Sequence, residues 1–125
     1  MNTSTALYTR LTTYAPLVAV VGLKVFPVTI PQGTAAPYII YQQIGSDPAN
    51  THTSGTGAIG RAFQFACFAA SYEAARALRD LIIEALDTDG VIPLANGESA
   101  TLTDERDGDY DDAVNLYRAD CDFSV

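Results

Sequence analysis

The stretch Arg61–Asp87, RAFQFACFAASYEAARALRDLIIEALD, decides the fold class because its hydrophobic period changes in the middle. From Arg61 to Ala69 residues alternate in polarity and size, which predicts a strand with Phe63, Phe65 and Cys67 on one face. Ser71 is predicted to cap a helix from Tyr72 to about Asp87. The buried stripe of that helix is predicted to comprise Ala75, Leu78, Ile82 and Leu86, widened by Leu81 and Ala85. Its polar face is predicted to carry Arg76, Arg79, Asp80 and Glu84.

Upstream of this stretch, the sequence predicts two short helices and two strands. Thr3 or Ser4 is predicted to cap a first helix, and Pro16 to end or restart it. A second helix is then predicted over Leu17–Val21. Prolines around Val25–Ile30 favour a short edge strand, and Tyr38–Gln42 is rich in strand-forming residues.

Downstream, an Asn96–Gly97 turn is predicted between the extended pieces Val91–Leu94 and Glu98–Thr103. The acidic run Asp104–Asp112 is predicted to be a loop and Ala113–Val125 the final strand. Its apolar face is predicted to carry Tyr117, Ala119, Cys121, Phe123 and Val125. Its solvent-facing side is predicted to carry Arg118, Asp120, Asp122 and Ser124. The predicted fold is α+β: a mostly antiparallel β-sheet with an N-terminal helix and a central amphipathic helix packed on one face, in a single domain over residues 1–125.

Composition excludes several function classes. The chain has 125 residues, 15 acidic against 7 basic ones, and a formal charge of −8. A protein that grips nucleic-acid phosphates normally needs a basic face, which this balance does not supply. The longest nearly apolar stretch, Ala15–Phe26, is shorter than the roughly twenty residues of a membrane span, so we expect no membrane partner.

The residue types that usually carry catalysis are sparse. His52 is the only histidine, and Gly55–Gly60 matches a GxGxxG pattern but precedes a strand instead of joining a strand to a helix. Cys67 and Cys121 are spaced too widely for a zinc knuckle or a CxxC motif. We interpret them as small buried thiols, with a disulfide as the alternative if their strands are neighbours. These residues therefore predict no catalytic, metal or cofactor site, although a Ser-His-Asp arrangement stays open on residue types alone.

The acidic run Asp104–Asp112 resembles a calcium loop only superficially. An EF-hand loop needs glycine at position six and glutamate at position twelve, and the registers that begin at Asp104 and at Asp107 both fail this test. Three interpretations remain: a solvated loop, a charged surface that faces a partner, and a weak cation site.

The order of elements as a whole resembles a known family. The features that carry the resemblance are the first helix, Val25-Phe26-Pro27, Pro31-Gln32-Gly33 before Pro37-Tyr38-Ile39-Ile40-Tyr41, Phe63-Gln64-Phe65 before the helix that starts at Tyr72, and the terminal strand Leu116–Val125. This pattern resembles the small tail-completion proteins of long-tailed phages and gene-transfer particles, also called tail terminators or tail-to-head joining proteins. The resemblance covers nearly the whole chain, although none of its motifs is catalytic.

The resemblance implies a structural virion protein at the neck, assembled in the host cytoplasm. It implies a homo-oligomeric ring, expected to be a hexamer, that caps the tail tube protein and docks on the head connector or stopper protein. Two alternatives stay open: a head-side connector or stopper ring, and a small α+β ligand-binding or thioesterase-like enzyme.

Two sets of residues are candidates for this assembly role. The polar loop Gly45–Gly60 is a candidate docking loop, with the residues Asn50, Thr51, His52, Thr53, Gly55 and Gly57. DNA would pass through the ring without specific binding, and a lumen lined by carboxylates would repel its phosphates. The candidate lumen residues are Asp107, Asp109, Asp111, Asp120 and Asp122.

Overall fold

The computed structural model describes residues 2–47, 60–88 and 92–125. In chain order the elements are α1 (Thr3–Thr13), α2 (Ala15–Val21), β1 (Val25–Pro27), β2 (Tyr38–Asp47), β3 (Gly60–Ala69), α3 (Tyr72–Leu86), β4 (Thr101–Asp107) and β5 (Tyr117–Ser124). The strands form one sheet in the order β1-β2-β3-β5-β4. Only β1 and β2 pair in parallel among these neighbours. The predicted α+β fold with a mostly antiparallel sheet is confirmed.

The core lies between the three helices and one face of the sheet. Its largest fully buried side chains include Phe65 and Phe123, whose rings meet edge to face with centroids 5.8 Å apart. The alternation predicted for β3 holds, because Phe63, Phe65 and Cys67 are all buried. The predicted stripe of α3 is also confirmed: Ala75, Leu78, Ile82, Ala85 and Leu86 are buried and Leu81 is half-buried. Burial of alternate strand residues under an amphipathic helix fixes which sheet face is left open.

The N-terminal helices begin slightly differently from the prediction. Asn2, and not Thr3 or Ser4, caps α1: its side-chain oxygen accepts a hydrogen bond of 2.7 Å from the backbone N–H of Thr5. Pro16 lies in the first turn of α2, where its missing N–H costs nothing. No helix in the described part of the chain has the length and apolarity to cross a membrane.

Two strands are shorter than the sequence predicts. β1 lies at the sheet edge as predicted, but it ends at Pro27 instead of Ile30, because Val28 adopts a φ of +65° that leaves the strand conformation. The final strand starts at Tyr117 and not at Ala113. The predicted Asn96–Gly97 turn is confirmed by the hydrogen bond of 2.8 Å from Gly97 N–H to the Leu94 carbonyl and by the φ of +88° at Gly97.

The first half of the acidic run is a strand and not the predicted loop. Residues 104–107 belong to β4, which pairs with β5 so that Arg106 lies opposite Asp120 and Asp104 opposite Asp122. This cross-strand arrangement places a guanidinium between carboxylates and offsets their repulsion. The strand was missed because aspartate has a low strand propensity, and the local sequence does not show which charge lies on the neighbouring strand.

Two charged residues that were predicted to face water are buried. Asp120 exposes 3% of its surface and Arg79 exposes 5%. The Arg79 guanidinium donates to the Arg106 carbonyl at 3.0 Å and lies 3.5 Å from a carboxylate oxygen of Asp107. Arg79 therefore ties α3 to the end of β4, which explains why a charged side chain can lie beneath the helix.

Candidate assembly surfaces

The three helices leave the opposite face of the sheet free, although Val28 and the start of the loop after β4 lie beside parts of it. We call this face the open sheet face, and its residues form three rows across the strands. Each row crosses the strands in the order β2, β3, β5 and β4, and the third row stops at β5. The rows are Gln42–Gln64–Asp122–Asp104, Ile40–Ala66–Asp120–Arg106 and Tyr38–Phe68–Arg118. Polarity therefore rises from β2, at the apolar end, to β4, at the charged end.

The charged end is an arginine–aspartate cluster that comprises Asp104, Arg106, Arg118, Asp120 and Asp122. One terminal nitrogen of Arg106 lies 2.9 Å from carboxylate oxygens of both Asp104 and Asp122. Arg118 Nε donates to Asp120 Oδ1 at 2.8 Å, while Asp120 Oδ2 accepts from the Gln64 amide at 3.1 Å. The five side chains thus carry three negative and two positive charges, which nearly balance.

Pairing with carboxylates favours the ionised form of Arg106 in this cluster. Hydrogen bonding to Asp122 raises the pKa of Arg106, against the opposing effect of burial. Asp120 is almost fully enclosed, and two arginines and a glutamine satisfy its carboxylate. Asp122 Oδ1 is buried and has no hydrogen-bond partner among the described residues. The cluster mainly stiffens the β3-β5-β4 half of the sheet and exposes little net charge.

A second surface lies where α3 begins, beside the loop that joins β4 to β5. We call it the tyrosine surface, and it consists of Tyr72, Tyr110 and Tyr117. The ring of Tyr117 lies 4.7 Å from that of Tyr110 and 6.3 Å from that of Tyr72, between centroids. All three residues are about two-fifths exposed. These aromatic contacts hold three solvent-facing rings in one connected group.

Polar contacts fix the orientation of two of these rings. The Tyr72 hydroxyl donates to Asp107 Oδ2 at 2.6 Å, and this hydrogen bond raises the pKa of Tyr72. The Arg76 guanidinium lies over the Tyr72 ring, 5.4 Å from its centroid. The Tyr110 hydroxyl contacts the Asn115 amide oxygen at 3.2 Å.

The structure does not gather the five candidate lumen residues into one patch. Asp120 and Asp122 belong to the arginine–aspartate cluster, and Asp107 is engaged by Tyr72 and Arg79. Asp109 is exposed, and Asp111 is exposed in the loop where its backbone pairs with that of Leu116. Within the described residues, neither Asp109 nor Asp111 forms a salt bridge.

The candidate docking residues Asn50, Thr51, His52, Thr53, Gly55 and Gly57 lie outside the described residues. The strands on either side of that segment are described: the segment follows the end of β2 and precedes the start of β3. Because β2 and β3 are antiparallel neighbours, the segment connects two adjacent strands at one end of the sheet.

The cysteines are buried free thiols within neighbouring strands. Burial raises the pKa of both thiols, that of Cys121 to about 12. Raised pKa values oppose the thiolate form that nucleophilic or metal-binding cysteines need. Residues 2–47, 60–88 and 92–125 contain no group of histidine, cysteine and acidic side chains arranged to hold a metal ion.

One depression of about 470 Å³ lies at the N-terminus of α1, and its lining includes Asn2, Thr3, Arg61 and Glu98. The Thr3 hydroxyl donates to Glu98 at 2.6 Å, so Glu98 links the start of α1 to the segment before β4. Neither a cysteine nor a histidine is among its described lining residues. These contacts support a structural role for the polar groups of this depression.

Comparison with known proteins identifies the family. The family model described as "Tail completion protein gp17" matches residues 5–125. The chain belongs to this tail completion family. The resemblance found in the sequence is therefore confirmed over almost the whole chain.

A solved structure has the same fold as this tail completion protein. A chain in the virion of a native gene transfer agent particle superposes with a TM-score of 0.71 and 21% sequence identity. The match covers 98% of this chain and 91% of the other. Comparison of the sequence with curated proteins found no relative.

The tyrosine surface was missed by sequence reasoning. Its three members lie at positions 72, 110 and 117, on a helix start, a loop and a strand, so no local period links them. The sequence signal for this surface was an aromatic residue, Tyr110, within an acidic run that is otherwise typical of a solvated loop. The interaction of this loop with the first turn of α3 is a tertiary contact that a local pattern does not encode.

Proposed function

We propose that this tail completion protein is a structural virion component that forms a ring, caps the tail tube and joins the tail to the head connector. The observation that carries the proposal is the family match over residues 5–125. We propose that six copies close the ring at the neck of the particle and assemble there in the host cytoplasm. A closed ring of identical copies requires two different contact patches on each copy.

The distribution of side chains supports a role in assembly instead of catalysis. The charged residues of the open sheet face satisfy one another, as Arg106 and Arg118 do with Asp120. The described thiols are buried and carry raised pKa values. We propose that the protein has no reaction and needs no cofactor, and that it acts by presenting shaped surfaces to its neighbours.

We also propose that carboxylates line the lumen through which DNA passes. Of the five predicted residues, Asp109 and Asp111 are the strongest candidates, because both are exposed and neither is paired with an arginine among the described residues. The two members of the arginine–aspartate cluster contribute little net charge. An acidic lumen would lower the local affinity for phosphate and let DNA slide.

The segment that contains Asn50, Thr51, His52, Thr53, Gly55 and Gly57 is proposed to contact the tail tube or the connector. It connects the adjacent ends of β2 and β3, so it is anchored at both ends to the centre of the sheet. Its glycine and threonine content favours a segment that orders against a partner rather than one that builds a core.

The test of the proposed function is electron microscopy of particles produced without this protein. We expect heads and separate or overlong tails, with joining restored by wild-type protein supplied in trans. A variant that lacks residues 50–57 should fold, as judged by its thermal melting, and should fail to restore joining. Normally joined particles in the absence of the protein would refute the proposal.

A further inference from the structure

We infer that the tyrosine surface docks a different protein, whose matching face has an apolar centre and a basic rim. The inference rests on the proposed function only in taking that protein from the same particle. Three features support it: the exposed rings of Tyr72, Tyr110 and Tyr117, the charges around them, and the distribution of basic residues over the chain.

The three rings have the properties of an interface centre. Tyrosine is enriched where binding energy is concentrated, because it offers a large contact area and a polar tip at low cost in side-chain entropy. Here each ring already contacts a neighbour, at 4.7 Å and 6.3 Å between centroids. Prior restriction of these rings reduces the entropy that binding would otherwise cost. The loop beside them also exposes Val114, at 52% of its surface.

The rim of this surface is acidic. Asp107 accepts a hydrogen bond from the Tyr72 hydroxyl, Asp112 lies in the same loop as Tyr110, and Glu73 follows Tyr72 in the first turn of α3. Arg76 adds one positive charge, over the Tyr72 ring. An apolar centre within a ring of carboxylates is complementary to an apolar centre within a ring of lysine or arginine.

A second copy of this chain does not supply that complement. All seven basic residues lie in the described part of the chain; three are paired with aspartates, and the other four lie on separate parts of the fold. Arg79, Arg106 and Arg118 form salt bridges with aspartates. Arg10 donates to the Ala85 carbonyl at 2.7 Å, and Lys24 donates to the Ala35 carbonyl at 2.9 Å. Apposing two copies through their tyrosine surfaces would bring carboxylates against carboxylates, which opposes association.

The remaining basic residues are too dispersed to form a basic rim. Arg61 lies in β3 and lines the depression at the start of α1, whereas Arg76 lies in α3. The charge distribution of the chain therefore favours a different protein over another copy. A nucleic acid is disfavoured as the occupant, because its phosphates would meet the same acidic rim.

The test uses the purified full-length chain and two probes: headless tails and tailless heads from particles produced without this protein. The variant is Tyr110→Ser with Tyr117→Thr, in which threonine keeps the strand propensity of β5. Its matched control is Leu23→Ser with Ile92→Ser, which removes two exposed apolar side chains elsewhere. Melting temperature establishes folding, and the mass in solution establishes self-association.

We expect the tyrosine variant to bind one of the two probes at least tenfold more weakly than wild type, with unchanged self-association, while the control binds normally. A tenfold loss corresponds to about 1.4 kcal/mol, which is modest for two central aromatic residues. Equal binding by variant and wild type would overturn the inference. Loss of self-association with retained binding would overturn it too, because it would assign the surface to contacts between copies.

A second variant keeps the test decisive if the tyrosine variant does not fold. Glu73→Gln with Asp112→Asn leaves every ring in place and removes two rim charges. We expect weaker binding to the same probe and a smaller decrease of affinity with added salt. Unchanged binding and unchanged salt dependence would overturn the inference.

The experiment also separates this inference from the proposed function. If wild-type protein neither binds the probes nor restores joining, the proposed function fails and the inference fails with it. If wild-type protein restores joining and the folded tyrosine variant restores it equally well, only the inference fails.

Discussion

Gly108 lies directly beneath the side chain of Arg118. A Cβ atom at Gly108 would lie 2.5 Å from Arg118 Cγ and 2.7 Å from its Cδ, whereas the Gly108 N–H donates to the Arg118 carbonyl at 2.9 Å. The absence of a side chain at position 108 thus lets Arg118 cross the end of β4 and reach Asp120. This contact connects the loop beside the tyrosine surface to the arginine–aspartate cluster.

The first prediction concerns this contact. Gly108→Ala should push the Arg118 stem outward and weaken its bond to Asp120, because real Cβ atoms do not tolerate contacts this short. We expect the free energy of unfolding to fall by about 1–3 kcal/mol in chemical denaturation. Gly45→Ala is the matched control, since nothing lies within 4 Å of a Cβ there and no positive φ is required. Equal stability of the two variants would contradict this interpretation of Gly108.

The second prediction concerns the buried carboxylate. Asp120→Asn should destabilise the protein by about 1–3 kcal/mol, because an amide nitrogen would face the guanidinium groups of Arg106 and Arg118. The expected loss is below that for a fully buried pair because both arginines keep contact with water. Asp104→Asn, at an exposed member of the same cluster, should cost less than about 1 kcal/mol. A larger loss at Asp104 than at Asp120 would show that burial does not set the energetics of the cluster.

The third prediction concerns the thiols. At pH 8 the native protein should resist alkylation at Cys67 and Cys121, and both should react once it is unfolded in denaturant. The pKa of Cys121 rises from its usual 9.0 to about 12 in the folded protein, so the unfolded chain loses this proton first. The resulting stabilisation is complete below pH 9 and is lost between about pH 9 and 12, at up to about 1.4 kcal/mol per pH unit.

Stability measured across that pH window tests the assignment. Cys121→Ala should have a shallower decrease in unfolding free energy above pH 9 than wild type, whatever its stability at neutral pH. Rapid alkylation of the native protein, or identical slopes for variant and wild type, would contradict the burial of this thiol.

The fourth prediction concerns the proposed lumen. Asp109→Lys with Asp111→Lys should slow DNA release from assembled particles, because two basic groups per copy would attract phosphates in the channel. Glu84→Lys with Asp87→Lys changes the net charge equally, on α3 and at its C-terminal end, and should release DNA at the wild-type rate. The measurement is the rate of DNA release from joined particles only, so that an effect on joining is scored separately. Equal rates for both variants would place these residues outside the channel.

The fold was predictable where local periodicity and burial agree. Alternation from Arg61 to Ala69 and the apolar stripe of α3 both follow from one strand and one helix that cover each other. Residues 104–107 of β4 were missed because their place in the sheet depends on the arginine of one strand meeting the aspartates of the next. Such pairing is decided by register, which composition does not contain.

The candidate site was only partly predictable for a similar reason. Asp120 and Asp122 were named from the sequence as free carboxylates, but their arginine partners come from other positions of β4 and β5. Arg79 was assigned to the polar face because of its charge, although it lies four residues after Ala75 and three before Ile82, which are same-face spacings on a helix. The Arg106 carbonyl of β4 accepts its hydrogen bond there. The tyrosine surface joins three separate elements, so only the tertiary structure reveals it.

The two outer strands have a consequence for the behaviour of free subunits at high concentration. β1 is three residues long and ends in proline, and β4 presents Asp104 and Glu105 along the other border of the sheet. Neither border is suited to continue the sheet into a neighbouring molecule, since one is too short and the other repels a like-charged copy. We therefore expect free subunits to resist fibrillar aggregation.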